Sequence, residues 1–223
     1  MELKTIKIII LAGPPGSGKG TQAQLLGERF GLEMLQANRL VREKFETDPN
    51  NPDVVESKKA YIEGRLTDGE VLGKWLTEKI EKFSQKTFDK GLILEGFART
   101  PKEAKITANI LKEKFGLDHV RLFFIKIDPE ETIRRNLARI ICQSCQKPIE
   151  PDLIGKITHC PYCGGELGKR DMDNKLVIEN RLRVYREETL PAIDYLRSLG
   201  IVTEINGEQP IESVYSNIIE NLN

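Results

Sequence analysis

Five consecutive apolar residues, Ile8-Ile9-Ile10-Leu11-Ala12, run directly into Gly13-Pro14-Pro15-Gly16-Ser17-Gly18-Lys19, and a helical pattern follows from Thr21. A strand that ends in a glycine-rich turn and reopens as a helix constrains this chain more than any other segment. The glycines let backbone N–H groups converge on phosphate oxygens, the helix N-terminus adds the positive end of its dipole, and Lys19 adds a point charge. The GxxxxGK spacing is informative only between a strand and a helix, and that context is present here. A glycine-rich turn without chemistry would leave the coincidence of strand, spacing, lysine and helix unexplained.

Apolar, β-branched runs recur at Ile6 to Ala12, Leu92 to Leu94, Val120 to Ile127 and Ile201 to Ile205. Continuous runs of this kind suit strands buried on both faces of a parallel sheet. Helical patterns between them cover Thr21 to Phe30, Gly69 to Phe83, Pro101 to Phe115 and Val177 to Leu199; glycines close three of them. The alternation predicts an α/β doubly wound domain. Two segments break it. Residues 38–68 are polar and weakly periodic, with a loop at Asp48-Pro49-Asn50-Asn51-Pro52, and read as a helical insertion. Residues 140–170 hold all four cysteines together with Pro148, Pro151 and Pro161, and read as a second insertion that is stapled instead of packed.

Charge is balanced at 34 basic and 34 acidic residues in 223, so the chain presents no global field for nucleic-acid backbones or anionic lipid. Any anion chemistry is local. No apolar run approaches the ~20 residues of a membrane-spanning helix. Met1-Glu2-Leu3-Lys4 leads toward the first strand without a cleavage-site pattern, and the expected compartment is the cytosol.

The cysteines form two CxxC pairs, Cys142/Cys145 and Cys160/Cys163, fourteen residues apart. In a reducing compartment this favours metal over disulfides. Four thiolates close a tetrahedral Zn²⁺ site and leave no open position, so the metal is structural. Iron is the other candidate for such a site, and two disulfides or four free thiols are the non-metal readings. Nucleic-acid binders also use such knuckles, but only Tyr162 is aromatic here and the basic residues alternate with Glu150, Asp152 and Glu166, so neither stacking platform nor basic stripe is present.

At Gly18-Lys19-Gly20-Thr21-Gln22-Ala23 the sequence resembles the nucleoside monophosphate kinases, and adenylate kinases in particular, and the resemblance extends over essentially the whole chain. Cys163-Gly164-Gly165-Glu166-Leu167 resembles the long-form LID with a four-cysteine zinc site. Glu95-Gly96-Phe97-Ala98-Arg99-Thr100 resembles the family's DGFPRT motif. The resemblance implies a three-layer α/β/α P-loop fold with a five-stranded parallel sheet. Its core would span 1–37, 69–138 and 172–223, with a nucleoside-monophosphate-binding insertion at 38–68 and a zinc-binding LID at 139–171.

The implied activity is reversible Mg²⁺-dependent phosphoryl transfer from ATP to AMP, giving two ADP, by a monomer. Such transfer needs positioning and electrostatics more than a nucleophile, so convergent arginines are its signature. By resemblance, Lys19, Arg99, Arg139, Arg170, Arg181 and Asp173 are catalytic. Gly16, Ser17, Gly18, Lys19, Gly20, Thr21, Arg135, Arg139 and Gln209 bind ATP. Ala37, Arg42, Arg65, Leu66, Thr67, Gly96, Phe97, Ala98, Arg99, Glu103, Arg170 and Arg181 bind AMP. Glu95 and Asp173 reach Mg²⁺ through water.

Six positions depart from the family pattern. Ala37, Asn38 and Arg39 stand where the acceptor strand usually carries Thr, Gly and Asp, Glu95 lengthens an acid, Met172 removes one, and Glu103 replaces the glutamine that reads the acceptor adenine. An ionised carboxylate only accepts hydrogen bonds, which suits the paired donors of guanine better than adenine. Glu103 therefore predicts either a GMP-first acceptor preference, with CMP and UMP behind, or a side chain turned to solvent and loose discrimination. Arg39 and Met172 leave a third reading, a weakly active nucleotide-binding homologue or zinc-ribbon interaction module.

Overall fold

The structure is a computed structural model that describes residues 6–63, 65–83, 90–170 and 173–222. Strands β1 (Ile8–Ala12), β2 (Glu33–Gln36), β3 (Leu92–Glu95), β4 (Val120–Lys126) and β7 (Val202–Asn206) form one sheet in the order β2-β3-β1-β4-β7, with every pairing parallel. β1 is central: Ile8 pairs with Leu92 on one side and with Val120 on the other. The chain order reverses across β1, so the loop leaving its C-terminal end lies at the topological switch point where α/β sheets bind ligands.

Alternate side chains of each strand enter different cores. Ile8, Ile10, Leu92, Leu94, Leu122 and Phe124 pack on one face against residues of α4 (Gly69–Glu81), α5 (Pro101–Phe115) and α8 (Leu190–Ser198). Ile9, Leu11, Ile93, Phe123 and Ile125 pack on the other against α1 (Lys19–Phe30) and α9 (Ile211–Glu220). These are the three layers expected from the continuous apolar runs.

Two elements differ from the sequence reading. β2 is a short edge strand, paired only to β3, whose residues Glu33, Met34, Leu35 and Gln36 lack the long apolar run of the central strands. The helix expected over Val177 to Leu199 is α7 (Lys175–Val184) and α8 joined by a wide π-turn at Tyr185–Thr189, where Leu190 N–H reaches back to the Tyr185 carbonyl. Pro191 explains the turn: it has no N–H for the carbonyl four residues back, and its ring crowds that carbonyl.

The first insertion carries α2 (Ala37–Thr47) and α3 (Pro52–Ile62), whose Leu40, Val41 and Val54 join the sheet's own core. The second follows α6 (Pro129–Ala138). It contains the two-residue strands β5 (Ile141–Cys142) and β6 (Leu167–Gly168), paired antiparallel, and has a separate cluster of Cys142, Ile149 and Cys160.

Candidate active site

The phosphate loop joins β1 to α1, which begins at Lys19 with Gly18 in the left-handed region (φ 90°) as its N-cap. Gly16 is also left-handed (φ 82°), and a Cβ there would lie 2.6 Å from Asn136 Nδ2, so the loop is closed against α6. Lys19 Nζ donates to the carbonyls of Gly13 (2.9 Å) and Pro14 (2.8 Å) and to Ser17 Oγ (3.2 Å). Burial draws its pKa down to about 7; Glu95 opposes that shift, and the nearby positive charges of Arg99, Arg181 and Arg139 deepen it. Gly20 is exposed beside it, while Thr21 is partly buried in the first turn of α1.

The same electrostatic field ties the remaining cations together. Burial lowers the Arg181 pKa to about 10, with Arg99, Arg139 and Arg170 pushing the same way and Asp173 opposing. Arg139 is depressed by burial and by Arg170, again against Asp173. Lys19, Arg99, Arg139, Arg170 and Arg181 thus share one site with two carboxylates, Glu95 and Asp173. Glu95 accepts from Gln36 Nε2 at 3.1 Å. Asp173 is buried 3.5 Å from Arg139 Nε, and neither of its carboxylate oxygens has a hydrogen bond. Such an excess of convergent, mostly half-buried positive charge suits a polyphosphate and the charge that develops during its transfer.

Around this cluster the expected donor-nucleotide residues are placed as follows. Arg135 lies along the loop, its Cβ 3.5 Å from a Cβ built on Gly16, and its guanidinium is held by Glu131 at 2.5 Å. Gln209 Oε1 accepts from Asn217 Nδ2 at 3.2 Å, in a loop pinned by the Gly207 N–H bond to the Lys126 carbonyl.

On the acceptor side, a cavity of about 50 Å³ is lined by Ala37, Arg65, Leu66, Thr67, Gly96, Arg99 and Glu103, with Asn38, Val41, Tyr61 and Leu72 completing the wall. Arg42 stands beside it: Nη2 donates to Tyr61 Oη at 2.7 Å and the guanidinium lies over the Tyr61 ring. Arg65 is exposed and paired with Glu63 and Glu56. Phe97 and Ala98 point into the sheet's core, so only their backbone can serve the site. Arg39 is exposed on α2. Met172 and Asp171 lie outside the described residues.

Glu103 corrects one expectation. Its side chain is 1% exposed instead of turned to solvent. Its two oxygens accept from the backbone N–H groups of Ala98 (2.7 Å) and Arg99 (3.0 Å), and its own N–H is capped by Thr100 Oγ1 (3.1 Å). Ala98 is left-handed (φ 59°), which an alanine adopts only when its surroundings hold it there. Burial raises the Glu103 pKa, while the amide hydrogen bonds and Arg99 restrain it. Gln36, Tyr61 and Asn136 also belong to the site without having been expected there. The Arg42–Tyr61 pair spans two helices, so no local spacing announces it.

In the second insertion all four cysteine sulfurs lie within 4.8 Å of one another, with Cys142–Cys163 at 3.4 Å and Cys145–Cys160 at 3.7 Å. A tetrahedron with metal–sulfur bonds of ~2.3 Å has edges of about 3.8 Å, so the four thiols fit a zinc-sized ion. The N–H groups of Cys145 and Tyr162 also point at the Cys142 and Cys160 sulfurs, as the turn of each CxxC knuckle requires.

The chain matches the family model for adenylate kinase over residues 11–201. It is 35% identical to an adenylate kinase of Syntrophotalea carbinolica, across 96% of this chain and 97% of that protein. It is 32% identical to an adenylate kinase of Archaeoglobus fulgidus, across 94% and 95%, and 31% identical to one of Chlamydia muridarum, across 96% and 86%. With the phosphate loop, the arginine cluster and the cysteine set in register along one chain, this protein belongs to the adenylate kinase family.

Proposed function

We infer that this chain catalyses reversible phosphoryl transfer from Mg²⁺-bound ATP to AMP, giving two ADP. The observation that carries the reading is the shared position of Arg99, which belongs both to the cationic cluster around Lys19 and to the wall of the acceptor cavity. One guanidinium at that junction can hold the acceptor phosphate and meet the charge of the group in transit.

In this reading the 16–21 backbone and Lys19 hold the β- and γ-phosphates. Arg139, Arg170 and Arg181 stabilise charge on the transferred group. Arg42, Arg65 and the cavity wall hold AMP, with Arg135 and the Gln209 loop bordering ATP. Glu95 and Asp173 would hold Mg²⁺ through water; the oxygens of buried Asp173, ion-paired to Arg139 but accepting no hydrogen bond, are the acceptors such a shell needs. Mg²⁺ supplies neutralisation of phosphate charge. The four cysteines would hold Zn²⁺ as a staple of the LID, which closes over ATP and excludes water so that AMP and not water receives the phosphoryl group. No protein nucleophile or general base is needed. The reading carries a monomer in the cytosol, with light scattering as the test of the former and metal analysis as the test of zinc over iron.

The GMP-first alternative loses its support, because the Glu103 oxygens are already engaged by backbone amides. Incubation with Mg²⁺-ATP and, separately, AMP, GMP, CMP, UMP and dAMP tests the assignment. ADP formation led by AMP supports it; absence of diphosphate from all five contradicts it.

A further inference from the structure

Asn136 has no part in the roles above, yet it is a polar side chain with 0% exposure. Burying an amide without partners costs roughly 1–3 kcal/mol, so its contacts show what it is there to hold. Nδ2 donates to the Thr132 carbonyl at 2.6 Å and lies against Gly16 of the phosphate loop, where a Cβ would come within 2.6 Å. Oδ1 accepts from Arg139 Nη2. One amide therefore touches the phosphate loop on one side and a guanidinium of the cationic cluster on the other.

Arg139 needs such a tether. It is the C-cap of α6, with extended backbone (φ −63°, ψ 132°), so the helix no longer directs its side chain. Arg170, Arg181 and Lys19 all present like charge to it, which favours a swing toward solvent. Asp173 restrains the Nε edge at 3.5 Å, and Asn136 restrains the Nη2 edge.

We propose that Asn136 is a positioning residue that registers Arg139 against the phosphate loop through its Oδ1 atom. The proposal rests on the phosphoryl-transfer reading for its kinetic consequence, but the tether itself is a property of the free protein. Arg139 acts on charge that develops in transit, so losing the register lowers kcat more than it raises the KM for ATP.

The test compares wild type with Asn136→Leu and Asn136→Asp. Leucine keeps the branched heavy-atom skeleton and removes both acceptor and donor; aspartate keeps the acceptor and removes the donor. The expected result is a fall in kcat of roughly 10- to 100-fold for N136L, with ATP KM changed by no more than about 3-fold, and recovery of most of that loss in N136D. A purely packing role gives the opposite order, because leucine is tolerated at a dry site and a buried carboxylate is not; that order, or equal losses in both variants, overturns the proposal. Arginine side-chain NMR of the nucleotide-free protein supplies a reading independent of activity. Restricted rotation of the Arg139 guanidinium in wild type, lost in N136L and kept in N136D, supports the tether, whereas free rotation in wild type overturns it. An inactive wild type with a restricted Arg139 would instead contradict the proposed function and leave the tether standing.

Discussion

Helices α2 and α3 place Leu40, Val41 and Val54 in the same apolar cluster as the central strands, whereas the cysteine-bearing segment keeps to a cluster whose buried members are Cys142, Ile149 and Cys160. The first insertion therefore inherits its stability from the domain, since burying an aliphatic side chain contributes roughly 1.5–3 kcal/mol. The second buries too little to offset the ordering of its long, proline-punctuated loops. It needs a bond that the apolar core cannot supply, and a metal ion held by the four convergent thiols would provide it. Two insertions beside one site are thus built on different physics: one shares the apolar core of the domain, whereas the other is a small cluster whose four cysteines could be stapled by a metal ion.

Removing the metal should separate the two regions most sharply. Structural zinc contributes on the order of 10 kcal/mol to small domains, so chelation or Cys142→Ser should abolish most ATP–AMP turnover. Far-UV circular dichroism should meanwhile retain the signal of the sheet and its helices; a global melt would break the comparison. Next in size, Leu40→Ala should lower stability by about 2–5 kcal/mol. Denaturant melts should show that loss equally with and without chelator, because Leu40 belongs to the main core.

Glu103→Gln sharpens the acceptor side. It replaces one accepting oxygen with an amide that faces a backbone N–H, a mismatch of roughly 1–3 kcal/mol. Thermal melts should show the loss and the AMP KM should rise, while the ratio of AMP to GMP turnover stays put; a change in that ratio would make Glu103 a base reader after all.

The smallest effect belongs to Lys19, in the core common to both regions. With its pKa drawn from 10.5 to about 7, the folded protein is largely unprotonated there at pH 8 while the unfolded chain is protonated. Below pH 7 both states hold the proton. Between those pKa values folding releases it, so the contribution of this group to stability rises with pH. ATP phosphates favour the charged amine and reverse the shift. Calorimetry at pH 8 in buffers of different ionisation heat should therefore show proton uptake on ATP binding, with affinity falling by up to about 1.4 kcal/mol per pH unit above 7.

The phosphate loop and the cysteine knuckles were legible because their chemistry depends on local spacing: Gly16 to Lys19 is one turn, and each CxxC is one turn. The central strands were legible because burial on both faces leaves an unbroken apolar run. β2 was not, since an edge strand of four residues with Glu33 and Gln36 carries no such run. The π-turn was hidden because the apolar pattern continues across it and only Pro191 signals a break. Glu103 and Asn136 were misjudged or missed for one reason: each polar side chain is buried by contacts distant in the fold, with Gly69 packed on the Glu103 backbone and Gly16 on the Asn136 amide. Their hydrogen-bond partners lie within five residues in sequence, but composition cannot report the burial, which tertiary packing supplies.

Hydrogen exchange read by mass spectrometry, with and without chelator, tests the difference between the two insertions most directly. Protection over 141–168 should collapse when metal is removed, while protection over 37–62 and in β1 stays unchanged. Retained protection over 141–168, or a loss that spreads equally to 37–62, would contradict the account of a metal-held flap beside a core-held one.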